Sequence, residues 1–162
     1  MTTPTKASPT LGLRSGRADD PTDFQAFSEI IMVAHLAEIA FGRALPKGLT
    51  TAQFGVLNRL VRLDGPETVG QLARAFQVAQ PTMSSTVGRL VAAGLVERVA
   101  NTADRRSRLI RITENGRAVR ESGVTAMDRI RETFGPELDE TGLAAMLPAL
   151  RRLREMLERV VL

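Results

Sequence analysis

The fold is decided at residues 69–98, which read VGQLARAFQVAQPTMSSTVGRLVAAGLVER. Their apolar spacing predicts a short helix over about residues 69–76 and, after a three-residue turn, a longer helix over about residues 80–93. In the longer helix Met83, Val87 and Leu90 fall at i, i+4 and i+7, so one face should be buried. A short helix, a tight turn and a longer helix make the helix-turn-helix arrangement.

The other side of the longer helix carries small, polar side chains rich in hydrogen-bond donors. Such a surface suits a helix that enters a DNA major groove, because bulky or acidic groups would clash with bases or repel phosphate. An ordinary surface helix can also begin with Ser and Thr, so the helix pair alone does not decide between the two interpretations. The candidate DNA contacts on this side are Gln80, Thr82, Ser84, Ser85 and Arg89.

A hairpin is predicted directly after this helix. Gly94 should end the helix, and residues 95–99, LVERV, mix β-branched and charged residues as a half-buried strand does. A second strand is expected at residues 108–112, RLIRI. The eight residues between the strands exceed a tight turn, so the tip should project from the body as a wing.

The wing tip contains the second group of candidate DNA contacts, Arg105, Arg106 and Ser107. Arginine at such a tip can enter a narrow minor groove, where the negative potential is enhanced. Asp104 would repel a phosphate, so we interpret it as a structural residue that shapes the wing. It is expected to pair with Arg98 or Arg106 and so fix the loop.

The positive charge of the chain is concentrated in this same segment. Between Leu72 and Thr113 seven Arg stand against two acidic residues, a net charge of +5, whereas the rest of the chain carries 15 basic and 16 acidic residues. Of the 22 basic residues 20 are Arg, the better ligand for phosphates and guanine edges. Arg excess can also reflect genomic base composition, but a local excess inside a compact motif indicates a polyanionic partner.

What the chain lacks excludes several kinds of chemistry. It has no Cys, no Trp and no Tyr, and His35 is its single histidine. Thiol nucleophiles, disulfides, zinc fingers and His-rich metal sites are therefore excluded. No Gly-x-Ser-x-Gly elbow, P-loop or dinucleotide glycine pattern is present either, so we expect neither an enzyme nor a cofactor.

The chain of 162 residues, 43% of them hydrophobic and 25% charged, has the size and composition of one compact domain. No uninterrupted apolar run approaches the ~20 residues that a membrane span needs, and the polar start lacks the apolar stretch of a secretory signal. We therefore expect a cytoplasmic protein with no membrane partner. Residues 1–20 are rich in Thr, Pro, Ser and Gly and are expected to form a disordered tail.

Long apolar helices are predicted on both sides of the motif. The first, over about residues 23–45, is apolar on more than one side, and the helices within residues 114–162 hold more apolar surface than a small domain needs. They suggest a two-fold homodimer, with an intramolecular bundle in a monomer as the alternative. The expected fold is mainly α with a small β-hairpin wing: a winged helix-turn-helix domain, about residues 50–113, flanked by N- and C-terminal dimerisation helices.

Three features resemble the MarR family of bacterial winged-helix regulators. The VAQPT segment and the GLVER ending look like the family's recognition helix and following strand. Residues 104–113, DRRSRLIRIT, followed by Gly116, are similar to the family's wing signature. The third feature is the order of one long helix before the motif and two after it, so that the resemblance covers about residues 24–162.

The resemblance implies a dimer whose two winged domains read a palindromic operator in double-stranded DNA. It matches Arg89 to the family's phosphate-facing arginine, Arg105 and Arg106 to the wing tip, and Asp104 to the acid that shapes it. One departure is Ala79, where the family usually has a serine as the helix cap. The base-reading start of the recognition helix is matched to Gln80, Pro81, Thr82, Ser84 and Ser85.

Family members commonly repress genes and release DNA when a small molecule binds, so we expect a repressor with a small anionic aromatic effector. The oxidation-sensing and zinc-sensing branches use Cys or several His, which this chain lacks. His35 is the candidate effector contact, because an imidazole among apolar positions could meet an acidic ligand. A lone histidine on such a face is also common as an interface residue without a ligand.

A different class of function is a winged-helix interaction module that binds protein and not DNA. That class predicts apolar or acidic side chains on the exposed face of the recognition helix. Here the face carries Gln, Thr, Ser and Arg, and the surrounding segment has a net charge of +5. Sequence-specific DNA binding is therefore the favoured interpretation.

Overall fold

The computed structural model describes residues 20–134 and 140–161. Nearly all of the expected tail at residues 1–20 lies outside them. The described chain is mainly helical with one small antiparallel sheet, as the sequence predicts. The elements are α1 (Thr22–Ala44), α2 (Thr51–Leu63), β1 (Glu67–Thr68), α3 (Val69–Ala75), α4 (Gln80–Ala92), β2 (Val96–Ala100), β3 (Arg108–Ile112), α5 (Glu114–Phe134) and α6 (Glu140–Val161).

Helices α2 and α3 both begin with a capping box, which satisfies backbone N–H groups that have no partner inside the helix. At α2 the Thr50 hydroxyl accepts from the Gln53 N–H at 3.2 Å, and the Gln53 side chain accepts from the Thr50 N–H at 2.9 Å. Thr68 and Gln71 repeat the arrangement at α3. These local bonds fix where the two helices start.

The sheet has three strands in the order β1-β3-β2. Strands β2 and β3 form the expected hairpin, with Val96 opposite Ile112 and Ala100 opposite Arg108. Sequence analysis missed β1, because its two residues are too few to show an alternating pattern. In this strand Glu67 pairs with Ile110, so β1 is an edge strand of the sheet and covers the free side of β3.

One hydrophobic core joins α2, α3, α4 and the sheet. The predicted inner face of α4 is buried, with Met83 at 4% exposure and Val87 and Leu90 at 0%. These side chains meet residues of the other elements that are also almost fully buried: Val56, Leu57, Leu60, Leu72, Val96 and Ile110. The core therefore holds the helix-turn-helix motif and the wing as one body.

Two glycines let α5 approach the core closely. A Cβ at Gly116 would lie 2.0 Å from the backbone oxygen of Leu95, and one at Gly123 would lie 2.4 Å from Cε2 of the buried Phe54 ring. Arg120 of α5 adds a polar tie, because its guanidinium donates to Asn58 Oδ1 of α2 at 3.0 and 3.2 Å.

Large apolar side chains remain exposed on all three flanking helices, most of them on α1 and α6. The described chain divides into two compact units, and the boundary lies between Ile39 and Ala40. Among the exposed residues of the first unit are Phe24, Phe27, Ile31, Val33 and Leu36, all on α1. In the second unit α6 exposes Leu143, Met146, Leu147, Leu150, Met156 and Val160.

Helix α1 is the one helix of the described residues that is long and apolar enough, by length and composition, to cross a membrane. Such a property is also common in core helices of proteins that never enter a membrane. Glu29, His35 and Glu38 interrupt the apolar sequence of α1.

Candidate nucleic-acid interface

The turn before α4 is set by backbone hydrogen bonds at the end of α3. The Val78 N–H donates to the Ala73 carbonyl at 3.0 Å, and the Gln77 N–H donates to the Arg74 carbonyl at 3.1 Å. This pair of bonds is the Schellman arrangement, which places the residue after the helix cap in the left-handed region. Gln77 has φ 54° there, so a residue other than glycine makes the sharp turn.

The residue at the N-cap of α4 is Ala79, whose side chain makes no capping hydrogen bond. Pro81 lies in the first turn and removes one N–H that would otherwise need a partner. The Met83 N–H donates to the Ala79 carbonyl at 3.1 Å and forms the first helical bond. The start of α4 is therefore fixed by Pro81 and the backbone alone, without the side-chain acceptor that a serine would supply.

All six predicted contacts on α4 lie on its solvent side. They are exposed while Met83, Val87 and Leu90 face the core. No acidic side chain lies on α4. The exposed residues are Gln80, Pro81, Thr82, Ser84, Ser85 and Arg89.

The end of α4 carries the glycine that the sequence predicts. Gly94 has φ 67°, and the Leu95 N–H donates to the Leu90 carbonyl at 2.9 Å. The Thr113 hydroxyl then donates to the Gly94 carbonyl at 2.7 Å and accepts from the Gly116 N–H at 3.0 Å. One threonine thus joins the end of α4 to the start of α5.

The wing tip is one residue shorter than expected, because Ala100 belongs to β2 and the loop covers residues 101–107. Asp104 Oδ1 accepts from the Arg106 backbone N–H at 3.0 Å, and the Asp104 carbonyl accepts from the Ser107 N–H at 3.1 Å. Asn101 Nδ2 donates to Ser107 Oγ at 2.8 Å. These bonds close the loop upon itself.

The expected ion pair of Asp104 is not formed in the described part of the chain. Asp104 bonds the backbone of Arg106 and not its guanidinium, and it makes no bond with Arg98. The tight loop brings the N–H two residues ahead within reach, so the carboxylate is satisfied locally. Arg105 and Arg106 are exposed, whereas Ser107 is half-buried and bonded within the loop.

Most of the arginines in the motif form no ion pair with a residue that the structure describes. Of the seven between Leu72 and Thr113, only Arg111 forms an ion pair with a described residue, Glu97, at 2.9 Å. Phosphates could therefore approach the other six without first breaking a salt bridge. Those six, all exposed, are Arg74, Arg89, Arg98, Arg105, Arg106 and Arg108.

An ion pair that sequence analysis missed supports the wing from inside. Arg59 of α2 donates from Nε and Nη2 to the two carboxylate oxygens of Glu67 in β1, at 2.6 and 2.8 Å. The hydrogen bond that Arg59 donates to Glu67 raises the pKa of Arg59, although desolvation lowers it in part. The two residues lie on either side of a helix break at Gly65-Pro66, so no helical spacing could reveal their contact.

His35, the predicted effector contact, lies exposed on α1. No hydrogen bond or ion pair links its side chain to another residue that the structure describes. Its role stays a prediction.

These features define a winged helix-turn-helix protein with a polar and basic recognition surface. A model of the MarR family matches residues 47–107. The repressor NicR of Pseudomonas putida is 30% identical over 141 residues, which cover 82% of this chain and 89% of NicR. The chain belongs to the MarR family of transcriptional regulators and is not an enzyme.

Other similar proteins agree with this family and fold. The transcriptional activatory protein BadR of Rhodopseudomonas palustris is 34% identical over 116 residues, 70% of this chain but only 65% of BadR. A structure of BpsR from Bordetella bronchiseptica, described as regulated in DNA binding by 6-hydroxynicotinic acid, is 27% identical with a TM-score of 0.65 and covers 80% of this chain and 98% of BpsR. A structure of MarR from E. coli is 26% identical with a TM-score of 0.67 and covers 77% of this chain and 93% of MarR.

Proposed function

We propose that the protein is a homodimeric regulator that binds double-stranded DNA sequence-specifically. Helix α4 enters the major groove with Gln80 to Arg89, and Arg105 and Arg106 reach the adjacent minor groove. The observation that carries this proposal is the exposed face of α4 and the wing, where polar and basic side chains lie without acidic partners. The alternative function, a winged-helix module that binds protein and not DNA, predicts apolar or acidic side chains on this face and is therefore not favoured.

The exposed apolar side chains of α1 and α6 support a dimer. Large apolar side chains in water cost about 25 cal/mol per Å² of accessible surface, so a second copy that covers them would be stabilising. A two-fold dimer presents two recognition helices, and the operator is then palindromic with half-sites about 10 base pairs apart. A footprint that covers one half-site only would contradict this arrangement.

We further propose that the protein is a cytoplasmic repressor without a membrane partner, and that a small anionic aromatic effector releases it from DNA. NicR, which is named a repressor, aligns over 89% of its length, and DNA binding by BpsR is described as regulated by 6-hydroxynicotinic acid. His35 is a candidate contact for the effector. If His35→Ala leaves effector-induced release from DNA unchanged, His35 has no part in it.

The test of DNA binding is fluorescence anisotropy with labelled duplex from the region upstream of the gene, against a scrambled duplex, across a salt series. Specific binding should persist at physiological salt, since base contacts remain when counterion release fades. Equal, salt-sensitive binding to both duplexes would contradict a specific site there. Absence of binding at low salt would favour the protein-interaction module.

A further inference from the structure

The segment that leads into α4, residues 77–82, has no buried side chain. Its six residues are all exposed, and they lie between the half-buried Phe76 and the buried Met83. We call residues 77–82 the entry segment. Three of the candidate base contacts, at positions 80, 81 and 82, belong to it. The position of these contacts therefore depends on hydrogen bonds and backbone conformation, and not on packing in the core.

The N-terminus of α4 lacks a hydrogen bond that the two preceding helices possess. In α2 and in α3 the N–H of the third helical residue donates to the hydroxyl of the N-cap threonine at 3.2 Å. The third residue of α4 is Thr82, and the residue at the N-cap is Ala79, whose methyl group cannot accept from the Thr82 N–H. An alanine at the N-cap leaves a helix start less stable than a serine or threonine does.

The turn before α4 has a backbone conformation that its side chain disfavours. Gln77 has φ 54°, in the left-handed region where a Cβ crowds the backbone and glycine is preferred. At the other end of α4 the same region is occupied by a glycine, Gly94, with φ 67°. The turn at Gln77 is thus formed against the preference of its own residue.

The residues that follow give the start of α4 little intrinsic helix stability. Ser84, Ser85 and Thr86 are weaker helix formers than Ala, Leu or Arg. The Thr86 hydroxyl donates to the Thr82 carbonyl at 3.2 Å, a type of bond that slightly destabilises and often bends a helix. A segment with few buried apolar contacts and few anchoring bonds lies at the low end of local stability in a folded protein.

We propose that Ala79 and Gln77 are positioning residues that leave the entry segment mostly open in the free protein, so that it becomes ordered on a specific DNA site. This inference rests on the proposed function. The affinity for the operator is then reduced in proportion to the fraction of molecules in which the segment is ordered. Non-specific binding depends on charge and does not need the ordered segment. The two residues therefore lower the discrimination between the operator and other DNA.

Hydrogen exchange of the full chain without DNA, followed by NMR, tests the free state. The Met83 N–H donates to the Ala79 carbonyl at 3.1 Å, and the Phe54 N–H donates to the Thr50 carbonyl at 2.9 Å, so each makes the first bond of its helix. Both residues are almost fully buried. We expect the protection factor of Met83 to be at least about tenfold below that of Phe54. Equal protection at the two positions would overturn the inference.

Fluorescence anisotropy with the upstream and the scrambled duplex tests the effect on DNA binding. Ala79→Ser supplies an acceptor for the Thr82 N–H and should bind the upstream duplex about fivefold tighter for each recognition helix, the effect of a typical N-cap. Its affinity for the scrambled duplex and its salt slope should not change. Ala93→Ser makes the same substitution at the exposed C-cap of α4 and should bind as the unaltered chain does.

A second variant separates ordering from a new contact of the serine with DNA. Gln77→Gly relieves the left-handed conformation and adds no polar group, so a gain in its affinity for the upstream duplex comes from the backbone. Unchanged affinity in both Ala79→Ser and Gln77→Gly would overturn the role of ordering in DNA binding. An equal gain on the scrambled duplex would overturn it as well, because non-specific attraction would then explain the change.

The two measurements also separate this inference from the proposed function. A chain that binds neither duplex at low salt removes the proposed function. Hydrogen exchange of the free chain then still decides whether the entry segment is open, since no DNA is present in that experiment.

Discussion

Replacing both arginines of the wing tip tests the DNA interface most directly. Arg105→Ala with Arg106→Ala removes two exposed guanidinium groups that form no ion pair in the described chain. The backbone bonds from Arg106 to Asp104 and from Ser107 to Asp104 do not involve the deleted atoms. The loop should therefore keep its shape, and any change in binding belongs to the lost charges.

The size of the effect follows from counterion release. Each neutralised phosphate contributes about 0.9 to the slope of log affinity against log salt. Two arginines on each of two wings could make four contacts, so the slope should become less steep by up to about 3.6. Arg106→Ala alone should weaken binding by about 1 to 3 kcal/mol, the scale of a good base-edge contact.

The assay is anisotropy with the upstream duplex at five or so salt concentrations. Arg152→Ala with Arg159→Ala removes equal charge from exposed positions of α6 and serves as the control. A slope that stays the same in the wing variant would refute a wing contact with DNA. An equal change in the control would mean that net charge, and not the position of the wing, is responsible.

Three further predictions concern the hydrogen bonds and the close packing that stabilise the winged helix-turn-helix domain. Asp104→Asn removes the charge but keeps an oxygen that can accept from the Arg106 N–H, whereas Asp104→Ala removes both. In the anisotropy assay Asp104→Asn should therefore bind DNA severalfold tighter than Asp104→Ala. Equal affinities of the two variants would contradict a role of this hydrogen bond in DNA binding. Glu67→Gln weakens the pair with Arg59 and should lower the free energy of unfolding in urea by about 1 to 3 kcal/mol, whereas no loss would mean that the pair is dispensable. Gly123→Val places a Cβ against Phe54 and should cost about 1 to 3 kcal/mol, while Gly88→Ala, with open space around it, should stabilise by about 0.5 to 1 kcal/mol. Similar urea midpoints for the two glycine variants would refute the close approach of α5.

The parts of the fold that could be predicted are those set by near neighbours in the chain. The spacing of Met83, Val87 and Leu90 predicts the buried face of α4, and Gly94 predicts its end, because both depend on contacts within one or two turns. The candidate contacts on α4 could be proposed for the same reason. A residue that is not on the buried face of an outer helix lies in solvent.

The parts that could not be predicted depend on long-range contacts. Strand β1 exists only because β3 pairs with it, and its two residues carry no pattern of their own. Arg120 and Asn58 form hydrogen bonds between α5 and α2 although they lie far apart in the sequence, so no motif joins them. Asp104 accepts from a backbone N–H and not from a guanidinium, because the geometry of the loop, which the sequence does not specify, places that N–H within reach.

The two residues of β1 have a consequence for how the family can diversify. Glu67 forms an ion pair with Arg59 and pairs with Ile110 of β3, and Thr68 caps α3. The base of the wing is therefore attached to α2 and α3. The tip is held by bonds within residues 101–107 only. The proposed DNA contacts at the tip can therefore change in length and sequence while the fold of the domain is kept, so that specificity for DNA can change independently of stability.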